Sequence, residues 1–446
     1  MEPTLMVVGL NYRTAPVAVR ERFWIDENRR YEALVQLSRA EGIEEVIVLS
    51  TCNRTEFWLW TDDVTLAANS VMRLLAGEYE LKLCEWKHFY RLLDESALLH
   101  IFRVASSLDS VVVGAPQIVP QVTEAWQQAL KVRASGRFLD AVVQKALLAS
   151  ERVRRETDIG KAPVSIPSTA LEFARQIFGT LENKNVVLIG AGEMSELSAL
   201  GLRNQGCSIR LGVINRTFGN AGELAAKLGG VAIPFEERWK HMAEADIIIS
   251  ATSCPHTILS REEVEGMIRE RKDSDRDNDN SDRKKDRPLV IVDLAMPRDV
   301  DPAVRNIKNV FLCDLDDLEN VTNLNFEERE AAAIEAHKLL QDEARGFRRK
   351  LMAERVVPTV VALRSRLDEF CRQELNAFRE ENGPFSKDQD EMLNAVMSRM
   401  TQRIAGSLAR ELKDVPEKAQ QEQMTTALQK LFNLPPPPTT LAAGRS

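Results

Sequence analysis

The sequence predicts a multi-domain α/β protein, and three observations carry that reading. A chain of 446 residues is too long for one ordinary core. Between about residues 160 and 310, fully apolar strand-like runs alternate with glycine-containing turns and helical stretches, the pattern of a parallel sheet covered on both faces. From about Asp317 onward glycine becomes scarce and apolar residues recur at helical spacing. The expected architecture is an α+β N-terminal domain, a Rossmann-type parallel-sheet nucleotide domain, and an all-α C-terminal domain joined by a long helix. The boundaries read as 1–157, 158–312 and 313–433, with a flexible tail at 434–446.

In the N-terminal region, short apolar strands such as Leu5 to Gly9 and Val46 to Leu49 alternate with amphipathic stretches such as Arg29 to Ala40. The run Val46 to Leu49 ends on a turn, Ser50 to Asn53, so Cys52 stands where a strand end holds a side chain rigidly toward a cleft. Arg54 follows two residues later, and a fixed guanidinium nearby favours thiolate, the form that attacks a carbonyl carbon. Local residues leave two readings of Cys52 open, a soft nucleophile or a small apolar filler.

In the middle region the strands are Asn185 to Ile189, Ile209 to Ile214, Asp246 to Ser250 and Leu289 to Asp293. The first runs directly into Gly190, Ala191, Gly192, Glu193, Met194 and Ser195, and a helical stretch from Glu196 to Asn204 follows. Two glycines permit a tight turn and close approach of a pyrophosphate, which the helix N-terminus can bind through its N–H groups. Ser195 stands where a third glycine is common and is still small. After the next strand come Asn215, Arg216 and Thr217, in the place where an acidic residue would accept a ribose 2′-hydroxyl. An arginine there suits a 2′-phosphate instead, so NADPH is the expected reductant.

Farther on, Leu340, Ala344, Phe347 and Leu351 form an apolar stripe, Val360, Leu363, Leu367 and Phe370 repeat it beyond Pro358, and Leu393, Val396, Met400, Ile404 and Leu408 form a third. Narrow stripes on long helices are buried by other helices, in a bundle or across a two-fold interface. Arg271 to Arg287 is almost entirely Asp, Asn, Ser, Lys and Arg and reads as a solvated loop without fixed structure, and Pro435 to Pro438 mark an extended tail.

Composition bounds the possibilities. No apolar run approaches the ~20 residues a bilayer span needs, and no basic-then-apolar leader opens the chain, so a cytoplasmic protein without membrane attachment is expected. The six cysteines, at 52, 84, 207, 254, 313 and 371, include no CxxC pair, which suggests neither a disulfide framework nor a metal site. A net charge of -8 repels nucleic acid on average, so any contact with RNA would rest on local clusters. Arg152, Arg154 and Arg155, and Arg345, Arg348, Arg349 and Lys350, are such clusters, although charged helix faces are usually only solvated.

The segment STCNRTE resembles the active-site signature of the glutamyl-tRNA reductase family. GLNYRTAPVAVRE, HIFRVASSLDSVVVGAPQI, GAGEMSE, INRT and VDLAMPRDVDP follow the family's order, so the resemblance spans most of the chain. It implies NADPH-dependent reduction of glutamyl-tRNA(Glu) to glutamate-1-semialdehyde through a thioester on Cys52, the first step of tetrapyrrole synthesis by the C5 route. It further implies pairing of two chains through C-terminal helices and hand-over of the aldehyde to an aminomutase. In the matching motifs His100 takes the place of an active-site histidine that assists proton transfer or polarises the carbonyl. Arg54 would bind a glutamyl carboxylate, Thr51 and Asn53 would orient the group, and Ser107, Ser110 and Gln117 match the substrate-pocket segment. Met296, Pro297 and Arg298 follow what reads as the last strand of the sheet, where ligand-contacting loops lie.

Two positions depart from the family pattern. The usual NHxTAP has Tyr12 in place of histidine, and the usual GEPQI has Ala115 in place of glutamate. These departures motivate a rival reading, a non-catalytic or regulatory paralogue that binds tRNA or a pathway partner. A dehydrogenase of a free small molecule is a third reading, but it leaves STCNRTE and the helical C-terminal region unexplained.

Overall fold

Leu5 to Val8 and Leu10 offer no polar side chain to water, and in the computed structural model of the chain they lie in a buried strand, β1, Thr4–Asn11. The structure describes residues 3–79, 81–111, 113–115, 117–160, 166–204, 209–277, 287–322, 327–383, 385–415 and 418–435. Strands β2, Glu45–Ser50, β3, Arg54–Thr61, and β4, Tyr90–Leu93, complete an antiparallel sheet in the order β2-β3-β1-β4. The register sets Gly9 opposite Glu56. A Cβ at Gly9 would come within 2.6 Å of the Thr55 carbonyl oxygen, so the missing side chain is what lets the two strands pair here. Around this sheet stand α1, Val17–Arg20, α2, Glu27–Leu37, α3, Val64–Glu78, α4, Asp94–Ala105, α5, Ile118–Lys131, and α6, Arg137–Glu156.

The second sheet is parallel throughout. Its strands are β5, Asn185–Ile189, β6, Arg210–Ile214, β7, Val231–Ile233, β8, Ile247–Ser250, β9, Leu289–Asp293, and β10, Val310–Cys313, in the order β10-β9-β8-β5-β6-β7. Val186 and Leu188 point into one apolar layer, Val187 and Ile189 into the other, which is why the strand carries no polar alternation. Helix α7, Ile166–Phe178, leads into β5, and α8, Glu193–Asn204, α9, Phe218–Leu228, α10, Arg238–Glu244, and α11, Arg261–Asp277, connect the strands up to β9. The order reverses between β5 and β8, so the ligand crevice of such a sheet lies beyond the C-terminal ends of those two strands.

Three expectations need correction. The sheet has two strands more than the four read from the sequence: β7 is only three residues long, with Val231 exposed, and β10 follows β9. Met296 to Arg298 therefore follow the fifth strand in chain order, not the last. The charged segment 271–287 is not all solvated loop. α11 continues through Asp277, and Arg271 is buried, with Nη1 donating to the Ala245 carbonyl and Nη2 to that of Pro288 at 3.1 Å. At the far end Arg287 donates from Nε to Asp246 at 2.9 Å, so tertiary acceptors order both ends. Residues 278–286 lie outside the described residues, as does most of the proline-rich tail.

After β10 come α12, Leu315–Thr322, and α13, Glu327–Asn382, which runs unbroken through Pro358. The chain divides into compact units at residues 1–341 and 342–446. The second unit holds the rest of α13 with α14, Lys387–Asp414, and α15, Lys418–Phe432. Within it Leu363, Ala405 and Leu412 are buried, while Val396, Met400 and Ile404, on one stripe of α14, are about half exposed. Among the described residues no helix is long and apolar enough to cross a membrane.

Candidate active site

The turn Thr51 to Asn53 joins two neighbouring strands, β2 and β3, so its geometry is set by the hairpin. The Thr51 N–H donates to the Arg54 carbonyl at 2.8 Å, and the Asn53 N–H to Thr51 Oγ1 at 3.2 Å. From outside the hairpin, Tyr12 N–H donates to the Asn53 carbonyl at 2.9 Å. Arg20, 2% exposed, donates from Nη1 to Asn53 Oδ1 at 2.9 Å and to the Cys52 carbonyl at 3.3 Å. Its other nitrogen binds Asp316 of α12, whose second oxygen accepts from the Val17 N–H at 3.0 Å. Arg298 pairs with Glu21 at 2.7 Å. These ion pairs hold the N-terminal domain against the nucleotide domain, and Cys52, partly buried, packs on the latter's core.

Between the two domains lies a cleft of about 690 Å³. Thr51, Cys52, Asn53 and Arg54 line one side with Ser110 and Gln117, and Gly190, Ala191, Gly192, Met194 and Asn215 line the other. The structure thus brings the thiol and the glycine turn to one cavity. Gly190 has φ +101°, and a Cβ there would lie 2.5 Å from the Ala251 carbonyl oxygen. Gly192 has open space where a side chain would stand, and α8 begins at Glu193. A turn with no side chain larger than the Ala191 methyl, before a helix N-terminus, fits the pyrophosphate of a dinucleotide. Ser195 is fully buried behind the turn, and Arg216 and Thr217 are exposed just past β6, Thr217 at the N-cap position of α9 without a side-chain cap bond. Among the described residues Arg216 makes no ion pair.

His100 and Ser107 are not among the cleft's lining residues. His100 Nε2 lies 3.1 Å from Glu56 Oε1, and the same oxygen accepts from the Tyr90 hydroxyl at 2.7 Å and Arg54 Nη1 at 2.6 Å. Trp58 Nε1 donates to the other Glu56 oxygen at 2.7 Å. Burial pushes the Glu56 carboxyl up, but His100 and Arg54 outweigh it and hold it well below the usual carboxylate range. Arg54 also pairs with Asp109 at 3.1 Å, so its charge is balanced inside the protein rather than left free for a ligand. Ser107, in the left-handed region at φ +59°, donates from Oγ to the Ala115 carbonyl. That brace uses backbone at position 115, so alanine keeps it.

Sequence reasoning missed Arg20 and Asp316, whose partners are distant in the chain, and it missed Asp299. Asp299 accepts from Ser250 Oγ and Thr252 Oγ1, each at 2.6 Å, and from the Thr252 N–H at 3.0 Å, which fixes the Ala251 to Ser253 wall of the cleft. Asp293 accepts from the Ala295 and Val300 N–H groups at 3.0 and 2.9 Å, and burial pushes its carboxyl up to about 7. The folded chain therefore holds a proton that an unfolded aspartate, with a pKa of about 3.9, releases. This contribution to stability is complete below pH ~4 and fades as pH rises through 7. In urea unfolding, wild type is expected to lose more stability between pH 5 and 8 than Asp293→Asn; equal pH slopes would refute the assignment.

A cysteine at a hairpin tip, in one cleft with the switch point of a six-stranded parallel dehydrogenase-type sheet, fits the class of oxidoreductases. Comparison with known proteins makes the class specific. Residues 8–157 match the model of the glutamyl-tRNA(Glu) reductase N-terminal domain, 172–321 that of shikimate/quinate 5-dehydrogenase, and 335–434 that of the glutamyl-tRNA(Glu) reductase dimerisation domain. The glutamyl-tRNA reductase of Pelobacter propionicus is 36% identical over 431 residues, 96% of each chain. That of Desulforudis audaxviator is 38% identical over 436 residues, 97% of this chain and 94% of its own. The chain belongs to the glutamyl-tRNA reductase family. The solved glutamyl-tRNA reductase from Methanopyrus kandleri is 28% identical, covering 96% of this chain and 99% of its own with a TM-score of 0.48.

Proposed function

We propose that this protein reduces the glutamyl group of glutamyl-tRNA(Glu) to glutamate-1-semialdehyde with NADPH, through a thioester on Cys52, the first step of C5-route tetrapyrrole synthesis. The observation that carries this reading is that Cys52 and the Gly190 to Gly192 turn line one cleft. A thiolate at Cys52 attacks the ester carbonyl; the C–S bond forms as the C–O bond to the tRNA ribose breaks, and the ribose oxygen leaves with a proton. Bound reduced nicotinamide supplies the hydride that converts a thioester to an aldehyde. The C–S bond then breaks and the thiolate returns. An oxygen ester is a poor hydride acceptor, which is why the thiol is needed.

In this reading Thr51, Asn53, Ser110 and Gln117 orient the glutamyl group. Arg54, its charge already balanced by Glu56 and Asp109, fixes the cleft wall beside the glutamyl group, and His100 acts through Glu56 as a positioning residue. Ser107 braces the loop. Gly190, Ala191, Gly192, Glu193, Met194 and Ser195 form the pyrophosphate turn, and Asn215, Arg216 and Thr217 select the 2′-phosphate. The labour divides at 1–157 for the glutamyl group, 158–312 for the nucleotide and 313–433 for linkage and dimerisation. A homodimer is supported by the match to a dimerisation domain and by the exposed Val396, Met400 and Ile404 stripe. Release of a reactive aldehyde favours hand-over to glutamate-1-semialdehyde aminomutase. A cytoplasmic location agrees with free thiols at Cys52, Cys254, Cys313 and Cys371.

Mixing the protein with glutamyl-labelled tRNA is expected to leave acid-stable, hydroxylamine-sensitive label on the chain, released as aldehyde when NADPH is added. No label and no aldehyde from folded protein would end this reading. For cofactor choice, Arg216→Ala is expected to weaken NADPH by about 10- to 100-fold, as loss of charge-assisted hydrogen bonds does, with little effect on NADH. Equal losses would remove Arg216 from its role.

A further inference from the structure

Helices α5 and α6 enclose a second groove of about 570 Å³ that shares no lining residue with the catalytic cleft. Val119, Leu147 and Leu148 make an apolar wall, and Ser150 and Arg154, one helical turn apart on α6, lie along it. Ser150 is 2% exposed, and its hydroxyl has no hydrogen-bond partner. Arg154 Nε is buried and equally without an acceptor. Among the described residues this guanidinium has one hydrogen-bond acceptor, the Ala115 carbonyl, 3.4 Å from Nη2, and no carboxylate pairs with it. Burial draws the Arg154 pKa down, and no neighbouring charge restores it. Buried donors without acceptors cost free energy that a matching ligand would recover.

We propose that this groove binds a small carboxylate with an apolar body, its two oxygens between the Arg154 guanidinium and the Ser150 hydroxyl and its hydrocarbon along Val119, Leu147 and Leu148. One guanidinium balances one negative charge, and Glu151 on the same groove disfavours a dianion such as phosphate. The three aliphatic side chains select a carboxylate with a hydrocarbon part over one without. The groove is also one contact from the chemistry, because the Ala115 carbonyl that Arg154 approaches belongs to a residue lining the catalytic cleft.

Titration calorimetry on the full chain tests this with octanoate, acetate and inorganic phosphate. Octanoate is expected to bind one to one, at least about tenfold more tightly than acetate and more tightly than phosphate. Arg154→Met is expected to weaken octanoate by about tenfold or more, and Ser150→Ala, which removes a single buried atom from the helix, by roughly three- to tenfold. Absence of octanoate binding, phosphate binding more tightly than octanoate, or octanoate affinity unchanged in Ser150→Ala and Arg154→Met would each overturn the proposal.

Discussion

Cys52→Ala is expected to abolish reductase turnover, by roughly 10⁴-fold or more, the scale of removing a covalent nucleophile outright. The acyl label of the wild type should vanish with it. Fold and nucleotide binding should not change, since Cys52 is a partly buried residue in a hairpin turn held by backbone hydrogen bonds and by Arg20. Small substitutions at such positions usually cost within about 1 kcal/mol. The decisive measurement is single-turnover aldehyde formation beside NADPH binding on the same preparation. Substantial turnover by Cys52→Ala would mean that hydride reaches the ester directly, and the thioester route would be wrong.

Glu56→Gln is expected to have the largest effect on stability. The fully buried Glu56 carboxylate answers four donors, Arg54, His100, Tyr90 and Trp58, and the amide cannot accept from all of them or balance a charge. Removing one partner of a buried ion pair costs roughly 3–5 kcal/mol, and Asp109, still paired with Arg54, sets the low end at about 3 kcal/mol. Urea unfolding at pH 7 measures it. The sign with pH follows from the depressed Glu56 pKa. The carboxylate's contribution is present above the ordinary glutamate value of about 4.3 and is lost as pH falls below it, so the deficit of the variant should shrink in acid. A cost below about 1 kcal/mol at pH 7 would show that Arg54 is held by Asp109 alone.

Much of this site was legible from local residues. The apolar run ending at Leu49, the turn carrying Cys52, and the Gly190 to Gly192 turn after β5 follow from spacing of neighbours in sequence, and each is where the sequence places it. The environment of Arg54 was not legible. Its cation reads as available beside Cys52, whereas Glu56 and Asp109, one of them 55 residues away, neutralise it. Arg20 and Asp316 are 296 residues apart and became a brace for the Cys52 turn only when the nucleotide domain closed on the first. The charged stretch after Arg271 reads as unable to order itself by burial, yet its start is helical and Arg271 there donates to the Ala245 and Pro288 carbonyls, acceptors that only the fold brings to it.

The sequence by itself determined six of the ten strands, β1, β2, β5, β6, β8 and β9, with the two chemistry-bearing turns, the helical C-terminal region and the family, because periodicity and turn chemistry are set by residues a few positions apart. Only the tertiary structure decided that Cys52 and the glycine turn share a cleft and that His100 pairs with Glu56 outside its lining. It also decided that Arg154 faces a groove in which, among the described residues, no carboxylate pairs with it. Each of these depends on which charges and donors meet across the fold, and a pairing between residues tens to hundreds of positions apart leaves no local pattern to read.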